Sequence, residues 1–146
     1  MSLHGSYDSE NIFAKIIRGD APCYKIYEDD DVLAFLDLFP QSYGHTLVIP
    51  KHVEARNLLD IEPEKLSQLI TVVQRLAQVL TDELEPAGVQ IAQFNGAPAG
   101  QTVFHLHFHV IPRFAGEDLA IHASNMADNA ELEALQARLQ QRIAAL

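Results

Sequence analysis

Between Phe104 and Val110 the chain alternates without a break: Phe104-His105-Leu106-His107-Phe108-His109-Val110. A helix cannot put every second residue on one side, whereas a strand does, with such residues about 6.6 Å apart. The pattern predicts a strand over Val103–Pro112, with Phe104, Leu106, Phe108 and Val110 turned to a core. His105, His107 and His109 then stand in a row on the opposite face. Three imidazoles so close cannot all hold a proton near neutral pH, because each charge opposes the next. A neutral imidazole can attack phosphorus and carry a covalent intermediate, which splits one hard displacement into two easier ones. It is also a common metal ligand, and His-x-His on a strand suits zinc or iron. A metal site of that kind wants a carboxylate a few residues further on, and none occurs before Glu117.

The segment just upstream strengthens the phosphorus reading. Asn95-Gly96-Ala97-Pro98-Ala99-Gly100-Gln101-Thr102 combines two glycines with amide and hydroxyl donors. Glycines allow backbone N–H groups to approach an anion closely. Elsewhere the chain predicts a short helix over Asn11–Arg18 capped by Ser9, then strands over Lys25–Glu28 and Val32–Asp37 around the acidic turn Asp29-Asp30-Asp31. A third strand covers His45–Pro50. Glu62–Leu84 reads as one long helix with an apolar stripe from Leu66 through Ile70 and Leu80 to Leu84, started by Pro63 and ended by Pro86 and Gly88. Val89–Asn95 is a fourth strand, and Asn129–Leu146 a C-terminal helix. Runs of strands separated by one long helix point to an α+β fold with an antiparallel sheet of about five strands.

Composition narrows the partners. Twenty acidic side chains against ten Lys and Arg give a formal charge of −10, which argues against broad binding to a nucleic-acid backbone. A small anionic substrate is still compatible, since local dipoles and donors bind phosphate inside an acidic protein. The single cysteine, Cys23, allows no internal disulfide, and no apolar run approaches the roughly 20 residues that span a bilayer. The first ten residues lack a basic and then apolar signal region, so a cytoplasmic protein of one domain is expected.

His105 to Ile111, taken with Ile12 to Arg18, Leu33 to Asp37, His45 to Lys51 and Gly100 to Val103, resembles the histidine triad (HIT) family, and within it the Hint-like purine-nucleotide-binding branch. The resemblance covers roughly residues 10 to 114 and implies a HIT-type fold. A flexible 1–9 is expected before that domain, and a C-terminal extension with a helix over 115–146 after it. Carried onto this chain, the resemblance makes His107 the nucleophile at the α-phosphorus and His109 a contact to the phosphate oxygens. It assigns His105 and His45 to the hydrogen-bond network of the site. Asn95, Gln101 and Thr102 would position phosphate and leaving group. Asp37 would bond the ribose hydroxyls, and Phe13, Ile16, Phe35, Leu38 and Leu47 would surround the base. Lys51 and His52 read as surface residues.

The implied activity is hydrolysis or transfer on a purine nucleoside phosphoramidate or related conjugate, without a required cofactor. A dinucleoside polyphosphate hydrolase of the same fold is the near rival; an inert nucleotide-binding module and a metal-dependent oxygenase or isomerase are the others. Some bacterial relatives hold structural zinc with Cys-x-x-Cys near the N-terminus and two histidines. Here Asn11 and Ala14 stand at those places, so that zinc site is expected to be absent. The resemblance also implies a homodimer through the long helix and a central strand, with no nucleic acid or membrane partner.

Overall fold

The hydrophobic alternation of the strands resolves into two apolar layers, one on each side of a single sheet. The computed structural model describes residues 3–117 and 125–145. Strands β1 (Tyr24–Glu28), β2 (Val32–Leu36), β3 (Thr46–Pro50), β4 (Gly88–Ala92) and β5 (Phe108–Arg113) pair antiparallel in the order β1-β2-β3-β5-β4. The tight β1–β2 turn forms as its acids predict, with Asp29 Oδ1 accepting from the N–H groups of Asp31 and Val32 at 2.8 Å each. Every residue of β2 and β3 is buried, because both faces of these central strands are covered.

One face carries helix α2 (Pro63–Leu84) and helix α3 (Asn129–Ala144). Its core joins Ala34, Leu36 and Val48 of the sheet to Leu69, Val73, Leu76 and Leu80 of α2 and to Leu132, Leu135 and Leu139 of α3. Leu106, Phe108 and Val110 enter the same layer. The other face holds a smaller cluster of Leu33, Phe35, Leu47 and Ile49 under Phe13, which comes from helix α1 (Ile12–Ile17). His45, His107 and His109 lie on this thinner side.

Several expectations need correction. Asn11 rather than Ser9 caps α1, its Oδ1 accepting from Ala14 N at 2.9 Å. Ile70, placed in the apolar stripe of α2, is exposed. Gly88 opens β4 instead of ending α2; that helix stops at Glu85, which takes a left-handed φ of 49°. The last strand begins at Phe108, not Val103. Its partner β3 runs out: Pro50 has no N–H to give the ladder, and its carbonyl accepts from His105 Nε2 at 2.9 Å. Leu106 N turns to Ala55 O instead, at 2.9 Å. His105 and His107 therefore precede the strand; Leu106 keeps to the core face as expected, whereas Phe104, expected there too, is half-buried with the Arg56 guanidinium over its ring. In the N-terminal segment, Leu3 O and Ser6 O accept from Asn57 Nδ2 and Arg56 Nη1.

The C-terminal helix has a clear seat. It lies against β1 and α2, where Gln136 and Gln140 both donate to Lys25 O, at 2.9 and 2.7 Å. Residue 146, included in the expected helix, lies outside the described residues.

Candidate active site

A cavity of about 510 Å³ opens on the α1 side of the sheet. Its walls are Phe13 and Ile16 of α1, Phe35 of β2, Leu38 beyond it, and Leu47 of β3. Asp37, His45, Thr102, His107 and His109 supply the polar groups. The geometry thus gathers ten of the thirteen residues singled out in the sequence around one space. Asn95, Gln101 and His105 do not line it. Gln101 is buried within its own loop: Oε1 accepts from Gly96 N at 2.8 Å, and Nε2 donates to Arg56 O and Val103 O. Asn95 Oδ1 accepts from Leu58 N at 2.9 Å and pairs with Gln93. Both carboxamides shape the loop that carries Thr102. Lys51 is tied to Glu28 at 2.7 Å, and His52 is exposed.

Sequence reasoning missed other walls. Ile12, Pro22, Cys23, Phe39, Gln41 and Val103 also line the cavity. Ile12 and Phe39 are large apolar side chains left substantially exposed at its rim. The i+4 relation of Ile12 to Ile16 on α1 was a readable signal; nothing in the sequence marked Phe39.

Hydrogen bonds fix the tautomer of each buried ring. His107 Nδ1 lies 2.7 Å from His105 O, and a carbonyl only accepts, so Nδ1 carries the proton and Nε2 keeps its lone pair. Burial lowers the pKa of His107, which keeps that lone pair available at neutral pH. Phe13 packs edge-on to the ring with centroids 4.9 Å apart and restricts its swing. His45 Nδ1 accepts from Gln41 N at 3.0 Å, so its proton sits on Nε2. From there it donates to His109 Nδ1 at 2.9 Å, making Nε2 the donor nitrogen of His109. Burial, with smaller contributions from His109 and Arg113, holds His45 down at about 3.

Asp37 follows β2 and is also ordered by backbone. Its N–H bonds His45 O at 3.0 Å, and its Oδ1 accepts from Phe39 N at 2.9 Å. Burial raises its pKa to about 6, so at pH 7 it is mainly a carboxylate able to accept hydroxyl protons. Asp37 Oδ2 is 3.5 Å from His45 Nε2, but this is no ion pair, because His45 is neutral.

Asp37, His45 and His109 each offer one ligand atom within 4.8 Å of the others, a spacing that suggests a metal. A cation would need the Nε2 lone pair of His45, forcing its proton onto Nδ1 and against the Gln41 N–H.

A family model described as the HIT domain matches residues 18–116. The chain is 48% identical over 108 residues to Protein hit of Bacillus subtilis, covering 73% of each. It is 37% identical over 118 residues to Adenylylsulfatase HINT3 of Arabidopsis thaliana, covering 77% of this chain and 59% of that one. Among solved structures, a Hit-like protein from Bartonella henselae superposes with a TM-score of 0.88 at 43% identity, covering 94% of this chain and 99% of that one.

Proposed function

The chain belongs to the histidine triad (HIT) family of nucleotide-binding hydrolases and transferases, and on that premise we propose that it transfers or hydrolyses a nucleoside 5′-phosphoryl group through a covalent His107 intermediate. The observation that carries this reading is the tautomer of His107, held with Nε2 unprotonated on the wall of the cavity. In the first step Nε2 forms a bond to the α-phosphorus while the bond from phosphorus to the leaving atom breaks. Water then attacks phosphorus and gives up a proton to solvent, while the imidazole departs neutral with its electron pair, its Nδ1 proton still in place. His109, as a donor fed by His45, stabilises the negative charge on the phosphoryl oxygens, and Thr102 adds a hydroxyl at the same wall. Asp37 accepts from the ribose, and the base lies among Phe13, Ile16, Phe35, Leu38 and Leu47. The scheme draws on no metal.

Within this chemistry we favour purine nucleoside phosphoramidates as substrates. The adenylylsulfatase activity in the name of the Arabidopsis relative shows that acidic leaving groups also deserve a place in the test. Kinetics on adenosine and guanosine phosphoramidates, adenylyl sulfate and dinucleoside polyphosphates decide the matter. Highest kcat/KM on a phosphoramidate is expected; fast polyphosphate cleavage with negligible phosphoramidate turnover would overturn this preference.

We also propose a homodimer. Strand β4 is an edge of the sheet, and Ile91 on it and Ile70 on α2 are large apolar side chains left exposed. The outer edge of β4, with Ile91 exposed on it, is suited to pairing with a second copy. Light scattering should give twice the chain mass, and a monomer at micromolar concentration would refute the dimer.

A further inference from the structure

Tyr7 lies 98 residues from His105 in sequence, yet its hydroxyl meets His105 Nδ1 at 2.6 Å. His105 does not reach the cavity, but it stands directly behind the nucleophile. Its Nε2 donates to Pro50 O at 2.9 Å, so its Nδ1 is the accepting nitrogen and the Tyr7 hydroxyl is the donor. The carbonyl of the same residue receives the Nδ1–H of His107 at 2.7 Å. Two hydrogen bonds, joined through His105 itself, thus link the N-terminal segment to the attacking ring, and the bond to Pro50 O braces His105 from the side.

We propose that Tyr7 is a positioning residue of this active site: its O–H bond to His105 locks the ring and backbone of His105, and thereby the carbonyl that orients His107. The inference rests on the proposed role of His107. The other His105 tautomer would aim the Nε2 lone pair at the Pro50 carbonyl, so the Pro50 bond sets the tautomer while the Tyr7 hydroxyl holds the opposite side of the ring in place. The ring centroids of Tyr7 and His105 are 5.7 Å apart in an edge arrangement, so shape as well as the hydroxyl restrains His105. The segment that delivers Tyr7 is itself anchored, through Ser6 O to Arg56 and through Leu3 O to Asn57. At its far end Asn11 Nδ2 donates to Asp8 O at 2.8 Å, joining the segment to the cap of α1. Burial raises the pKa of Tyr7, so the phenol keeps its proton across the neutral range.

The test is Tyr7→Phe, which keeps the ring and removes only the hydroxyl, beside wild type and His107→Ala. Single-turnover formation of the nucleotidyl adduct should slow by about threefold to tenfold, the effect of one buried hydrogen bond, with KM unchanged. In ¹⁵N-labelled protein the unprotonated His105 Nδ1 resonance should shift as its hydrogen bond is lost, while the His45 ring signals stay in place. If either the adduct rate or the His105 Nδ1 signal is the same in Tyr7→Phe as in wild type, the inference fails and the proposed function stands. A wild type that forms no adduct on any nucleotide substrate overturns both.

Discussion

Replacing His107 with alanine is expected to lower nucleotidyl turnover by at least about a thousandfold and to abolish the covalent adduct, because among the described residues no other ring presents a free lone pair to the cavity, and burial raises the pKa of the Cys23 thiol on its wall and keeps it protonated. His109 also lines the cavity, but its Nδ1 is occupied by the proton from His45 and its other nitrogen is then the donor. His105 is screened from the cavity. Deleting the ring also removes its packing against Phe13, so thermal unfolding must accompany the kinetics to show that the fold survives. Wild-type turnover by a folded His107→Ala chain would refute the mechanism outright.

Acid should destabilise this protein more steeply than its surface carboxylates alone would bring about. Burial holds His45 at about 3 and His105 at about 4, against an ordinary 6.5, and lowers His107 as well. In the unfolded chain these rings regain ordinary affinity and take up protons first. Their contribution is therefore complete above pH 6.5 and is lost as pH falls from there toward the folded values. Asp37 acts in the opposite sense: with its folded pKa at about 6 against 3.8, the folded state binds its proton first. Between pH 6.5 and 4.5, His45 and His105 together cost about 4 kcal/mol and Asp37 returns about 2, a net loss on the order of 2 kcal/mol before His107 is counted. Urea midpoints from circular dichroism at those two pH values check this, and equal stability at both would contradict the buried neutral rings.

Periodicity made most of the fold legible, since α2, the four strands before β5 and the C-terminal helix each announce themselves by spacing. The faces of the histidine segment were readable for the same reason. The strand boundary was not, because it depends on Pro50, a residue more than fifty positions away that deprives the ladder of a donor. The apolar walls of the cavity and Asp37 came from the family resemblance; by composition alone they would pass as core and turn. Asn95 and Gln101 show how far a residue's chemistry falls short of its address. Their amides are good phosphate donors in principle, but Asn95 is engaged by Leu58 N and Gln93, and Gln101 by Gly96 N and the carbonyls of Arg56 and Val103. Tyr7 was invisible for a related reason: a polar N-terminus with no periodicity gives no sign of folding back onto a buried ring.

The bond from His107 to a backbone carbonyl bears on how long the modified enzyme survives. An amide oxygen cannot remove the Nδ1 proton as a carboxylate partner might, so once Nε2 is bonded to phosphorus the ring stays cationic. A cationic imidazole is a far better leaving group than a neutral one. Under the proposed mechanism the nucleotidylated protein is therefore expected to be short-lived at neutral pH, and capturing it would call for millisecond quenching rather than overnight incubation.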